Sequence, residues 1–96
     1  MAKTHNTKKN YEEIVKRPIA VNYLKKYLLE LVFEDEKRTI DLYELFVKKP
    51  PHSFFKRYAS EEKFKTVRID RRGALCWGDN ELDLNPNTIL QYEVLS

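Results

Sequence analysis

The stretch Arg68-Ile-Asp-Arg-Arg-Gly-Ala-Leu-Cys-Trp-Gly-Asp-Asn-Glu-Leu-Asp-Leu-Asn-Pro-Asn-Thr-Ile-Leu90 decides how this chain folds. Thr66 to Asp70 alternates, with Val67 and Ile69 on one side and Arg68 on the other, the period-two pattern of a half-buried strand. Arg71-Arg72-Gly73 turns the chain, and Gly73 supplies the positive φ. Ala74 to Trp77 returns as an apolar strand. Gly78-Asp79-Asn80 makes a second turn, and Glu81 to Leu84 is a brief third strand. Asn85-Pro86 opens a helix, because Asn caps well and Pro suits the first helical position. That helix is predicted over Pro86 to Val94, offering Ile89, Leu90 and Val94 to the core.

Working upstream, the same grammar repeats. Ile19 to Tyr23 is β-prone and reads as a first strand. Tyr27 to Glu34 is the strongest strand, with Leu29, Leu31 and Phe33 pointing towards the core and a mixed opposite face. Glu34-Asp35-Glu36-Lys37 is a charged turn. Arg38 to Leu42 returns, with Ile40 and Leu42 on one face and Thr39 and Asp41 on the other, so an antiparallel hairpin is predicted. Asp41 and Glu44 have capping-box spacing for a short helical turn, which Pro50-Pro51 ends. Ser53 is predicted to cap a second turn through Tyr58, and Ser60 a third, with Glu61 and Glu62 at its positive end and Phe64 docking it on the sheet. The fold class expected is α+β: a small antiparallel β-meander with short helices packed on one side and a C-terminal helix.

Ninety-six residues suit one domain, expected over residues 18–96. Residues 1–17 are expected to form a flexible basic arm. Lys3, Lys8, Lys9, Lys16 and Arg17 against Glu12 and Glu13 account for the whole net charge of +3. The remainder is neutral, whereas a dedicated nucleic-acid binder concentrates positive charge on its folded face. No apolar run approaches the ~18 residues that span a bilayer, and the start lacks an apolar signal core. The expected address is cytoplasmic, with no membrane association.

Beyond these elements, the residues resemble a known family. The hairpin Leu29 to Leu42 looks like the opening of the bacterial domain-of-unknown-function-2442 family. Phe64 before a strand, Trp77 at the end of the next, and Asp83-Leu-Asn-Pro86 before a helix look like its signature, so the resemblance covers about residues 19–92. Gly78 follows Trp77 where the family often has Pro, and Glu36 stands where it often has Gly. The segment before Pro18 lies outside the pattern. The resemblance implies a small α+β domain with no established catalytic residues. In some relatives a helix-turn-helix domain follows, and others are thought to sit in toxin–antitoxin-like gene pairs. With the chain ending at Ser96, an appended DNA-binding domain is not expected, so a regulatory role implies a partner protein.

A metal site needs several ligands at compatible spacing. His5 and His52 fall in the arm and in a Pro-rich loop, remote from Cys76, so no metal and no cofactor is expected. Cys76, the one cysteine, lies in an apolar strand and reads as a buried inert thiol. Asp79, Glu81 and Asp83 invite a carboxylate-pair reading, but turn formation and solvent exposure account for them more simply. Trp77 is expected to plug the core. Two glycines cannot build a phosphate-cradling loop.

The leading expectation is therefore a non-enzymatic protein-interaction module with a protein partner. Its expected surface is an open sheet edge or the aromatics Phe46, Phe54, Phe55 and Tyr58. A weak nucleic-acid binder using the arm with Arg68, Arg71 and Arg72 is one alternative. A small-molecule-binding domain is another, and open sheet edges leave a homodimer available.

Overall fold

The computed structural model describes residues 17–94. The expected basic arm, residues 1–17, lies outside the described residues apart from Arg17.

Two three-stranded antiparallel sheets flank a helical segment. The first contains β1 (Ala20–Lys25), β2 (Leu28–Val32) and β3 (Lys37–Asp41), in the order β1-β2-β3. Its register sets Tyr23 against Leu29, and Leu29 against Ile40. Leu29, Leu31, Phe33, Ile40 and Leu42 are all buried. The alternation of residues 29–33 thus faces the core as expected. A bulge between Tyr23 and Lys25 and a positive φ of 50° at Lys26 carry β1 two residues past its expected end at Tyr23.

The second sheet contains β4 (Arg68–Ile69), β5 (Leu75–Trp77) and β6 (Leu82–Leu84), in the order β4-β5-β6. The expected meander is therefore two short meanders, with Gly73 and Gly78 at the turns and φ of 83° and 69°. Between the sheets come α1 (Glu44–Lys48), a single turn of π type, then α2 (Ser53–Arg57) and α3 (Glu61–Phe64). After β6 come α4 (Pro86–Ile89) and a 3₁₀ turn, Leu90–Tyr92.

One apolar cluster joins all of this. Phe46 lies 4.9 Å from Trp77 and 5.0 Å from Phe64, and Phe64 lies 5.7 Å from Trp77, ring centre to ring centre. Trp77 is fully buried, and its indole N–H donates to the Phe64 carbonyl at 2.9 Å. This confirms it as the core plug, with its one polar atom satisfied. Tyr27 packs edge-on against Phe64 at 4.9 Å, and its hydroxyl donates to the Ala59 carbonyl.

Three local expectations are corrected. The capping box at Asp41 and Glu44 does not form. Asp41 is held extended by pairing with Leu28, and its Oδ1 accepts the Tyr43 N–H at 3.0 Å. That short Asx bond competes with a helix cap, so α1 starts at Glu44 with no side-chain cap and closes through Lys49 N–H to Glu44 O at 2.8 Å. Ser53 is not the cap of α2 but its first residue. Pro50-Pro51 leads into extended His52 (φ −158°, ψ 177°), whose Nδ1 accepts the Phe54 N–H at 3.4 Å. The predicted last helix stops at Ile89. Glu93 bridges to Ile40, and the Val94 N–H donates to Thr39 O at 2.8 Å. Val94 is therefore 44% exposed on the β3 edge, not in the core. The caps at Ser60 and Asn85 form as expected, accepting from Lys63 N–H and Thr88 N–H.

Candidate functional site

The turn between β4 and β5 brings the arginines into view. Asp70 Oδ1 accepts the backbone N–H of Arg72 at 2.8 Å and of Ala74 at 2.9 Å. Its Oδ2 accepts Arg72 Nη2 at 2.8 Å and Nε at 3.2 Å. Arg72 Nη2 also reaches Asp83 Oδ2, across the sheet on β6, at 3.1 Å. One guanidinium thus sits between two carboxylates. The expected phosphate grip of Arg68, Arg71 and Arg72 is weakened by this arrangement, because Arg72 is already neutralised and leaves a net charge of −1 on the triad. Arg68 and Arg71 are exposed.

The Arg72 guanidinium, then the Ala74 N–H, lowers the Asp70 carboxyl from 3.8 to about 2. A carboxyl whose folded pKa lies below its unfolded value adds stability that is complete above pH ~4 and lost as pH falls towards ~2. Asp70→Asn is therefore expected to lower the melting temperature at pH 7. The gap to the parent protein should narrow between pH 4 and 2, which thermal melts across that range will read.

Cys76 pairs with Arg68 on the neighbouring strand, on the opposite side of β5 from Trp77. It is buried, with Sγ 3.6 Å from Asp70 Oδ2. Burial first, then the Asp70 charge, pushes the thiol pKa up, which opposes thiolate formation. His52 lies elsewhere, its ring 4.8 Å from Phe55.

The acidic set does not converge either. Glu81 turns towards α2, where its Oε1 accepts the Tyr58 hydroxyl at 2.6 Å and its Oε2 meets Arg57 Nη1 at 3.1 Å. The Tyr58 hydroxyl, then Arg57, holds the Glu81 carboxyl below its usual range. Asp83 serves Arg72, and Asp79 stays in the exposed turn.

The aromatic surface expected from sequence divides. Phe46 and Phe55 are buried, 5.1 Å apart, and belong to the core. This corrects their placement on a partner surface: α2 uses Phe55 to sit on α1. Tyr58 is half-buried and tied to Glu81. Phe54 is 38% exposed, with the Arg57 guanidinium 5.2 Å from its ring centre.

A different surface was missed. Between α1 and the returning C-terminal segment runs a groove of about 630 Å³, walled by Asp41, Tyr43, Glu44, Tyr92, Glu93 and Val94. Tyr43 and Val94 are 48% and 44% exposed. A hollow of about 250 Å³ beside Tyr27 and Leu28 adjoins it across Asp41 and Tyr43, and the Tyr43 ring meets Tyr27 edge-on at 5.7 Å. The sequence carried one usable signal. Thr39 and Asp41 face away from the core, and Tyr43 continues that odd-numbered series.

Among the described residues, no group of three His, Cys, Asp or Glu side chains is placed to hold a metal ion. No helix among them is long and apolar enough to cross a membrane. No match was found among curated proteins or among solved structures. The sequence profile of the family described as "Protein of unknown function (DUF2442)" matches residues 18–94, taking in the hairpin, Phe64, Trp77 and the Asn85-Pro86 helix start, and the chain belongs to that family.

Proposed function

We propose that this protein is a non-enzymatic interaction module and that a partner protein seats in the Tyr43 groove. The observation carrying this reading is the exposure of Tyr43 and Val94 on the walls of the ~630 Å³ groove. Val47, 38% exposed, follows on the same helical turn as Glu44. Tyr43 and Val94 are set among Asp41, Glu44, Lys48, Gln91 and Glu93, an aromatic anchor within a polar rim, and tyrosines are frequent anchors at interfaces. The charged residues of the fold support the same reading from another side. Asp70, Arg72 and Asp83 are engaged in turn and interstrand contacts of the second sheet, and Glu81 ties that sheet's last turn to Tyr58 and Arg57. A cytoplasmic regulatory or toxin–antitoxin-like gene pair is the setting in which such a module would work.

The test is affinity purification of the tagged full chain from its native host, beside Tyr43→Glu and Val94→Lys variants. One stoichiometric protein is expected with the parent chain, and at least a 10-fold loss with each variant, since a charge is then placed in a desolvated contact. Both side chains are about half exposed, so circular dichroism and melting temperature should stay unchanged. Equal recovery by all three chains, or recovery of no protein, removes the groove as the docking site.

A further inference from the structure

From Leu45 to Ser60 the chain holds no carboxylate, yet it carries Lys48, Lys49, His52, Lys56 and Arg57. All five are exposed. α2 stacks on α1 through the 5.1 Å contact of Phe55 with Phe46, so the two short helices that carry them lie side by side. Pro50-Pro51 makes the tight link between the two turns. Phe54 stands outward on α2, 38% exposed. The Arg57 guanidinium lies 5.2 Å from its ring centre, and the His52 ring meets it edge-on at 5.8 Å. Of the nearby carboxylates, Glu81 meets Arg57 at 3.1 Å and Glu44 lines the Tyr43 groove beside Lys48.

We propose that this face binds single-stranded nucleic acid, with a base stacking on the Phe54–Arg57 platform and Lys48, Lys49 and Lys56 neutralising the flanking phosphates. The chemistry is that of sequence-tolerant strand binding: an accessible aromatic plane beside a run of cations. An acidic peptide matches the charge but has no planar group for the exposed ring. A duplex matches the charge but keeps its bases stacked inside. The site is separate from the Tyr43 groove, although Lys48 borders both, so either reading can fail without the other.

The experiment is fluorescence anisotropy of the full chain with a labelled oligothymidylate of ~12 nucleotides, a length within the range one small domain covers. Saturable binding is expected at low salt, with log K falling by about 2 per tenfold rise in salt, or ~0.7 for each of three phosphates. Phe54→Ala should weaken binding by about 5- to 100-fold with the salt slope unchanged. Lys49→Gln with Lys56→Gln should flatten the slope by about 1.4. Tyr43→Glu should bind as the parent does. An oligoglutamate peptide is the competing probe. Oligothymidylate binding that ignores Phe54 and Lys56, oligoglutamate binding of equal strength, or no binding at low salt each overturns the proposal.

Discussion

Replacing Trp77 with Ala is expected to remove about 3–5 kcal/mol of stability, the range for truncating a fully buried aromatic side chain. Domains of this size have only about 5–15 kcal/mol in total. The loss is thus about a third or more of the stability of a domain in the lower half of that range. Trp77 is fully buried and touches the rings of both Phe46 and Phe64, so the hole opens where α1, α3 and the second sheet meet. Its loss also strips the Phe64 carbonyl of its 2.9 Å donor. That carbonyl ends α3 and keeps the Val67 N–H at 3.2 Å as a partner, so losing the indole donor adds less than the ~1–3 kcal/mol of a fully orphaned buried acceptor. Trp77→Phe separates the two contributions, since it restores much of the volume but not the N–H. It should fall between the parent and Trp77→Ala in urea denaturation. A melting temperature for Trp77→Ala within a degree or two of the parent's would mean that the indole is not the centre of this core.

The plug was legible in the sequence because Trp77 ends a short apolar run bounded by turn residues on both sides. The four consecutive buried residues Ala74, Leu75, Cys76 and Trp77 were less so. Alternation presumes one wet face, and β5 lies between β4 and β6, with the Asp70–Arg72–Asp83 bridge beside Cys76. That bridge depends on the register of Cys76 with Asp83, a pairing that residue spacing along one strand does not reveal. The same limit explains the aromatics of the middle segment. Phe54 and Phe55 are neighbours of equal hydropathy, and only the docking of α2 on α1 sends one inwards and the other out. It also explains the Tyr43 groove. One wall is β3 and α1, the other is residues 91–94, and they meet only because the chain returns to the β3 edge through the Ile40–Glu93 bridge. Local signals served best where a single residue decides the backbone, as at Ser60, Asn85 and the two glycines. They failed at Asp41 and Ser53, where a neighbouring strand or a pair of prolines had already set the geometry.

Gly73→Ala is expected to cost about 2–3 kcal/mol, more than the turn alone explains. The residue has a φ of 83°, and an L-side chain in the left-handed region costs about 1–2 kcal/mol. The excess comes from across the fold. A Cβ at position 73 would lie 2.9 Å from Arg17 Cβ, 3.2 Å from Pro18 Cδ and 3.3 Å from Arg17 Cα. These atoms belong to the backbone entering β1 or sit next to it, so they cannot swing aside as a side-chain tip can. At Gly78, by contrast, the obstruction is the hydroxyl end of Tyr58. Gly78→Ala should therefore release the Tyr58–Glu81 hydrogen bond and leave the chain path intact. The order of effects expected in urea melts is Gly73→Ala above Gly78→Ala. Arg17→Gly offers the internal control, because it deletes the nearest clashing atom. Combined with Gly73→Ala it should recover the part of the loss due to crowding and leave the part due to φ, a non-additivity of about 1 kcal/mol in a double-mutant cycle. If the two substitutions simply add, the first sheet and the turn between β4 and β5 do not press together at this point, and Gly73 serves its turn alone.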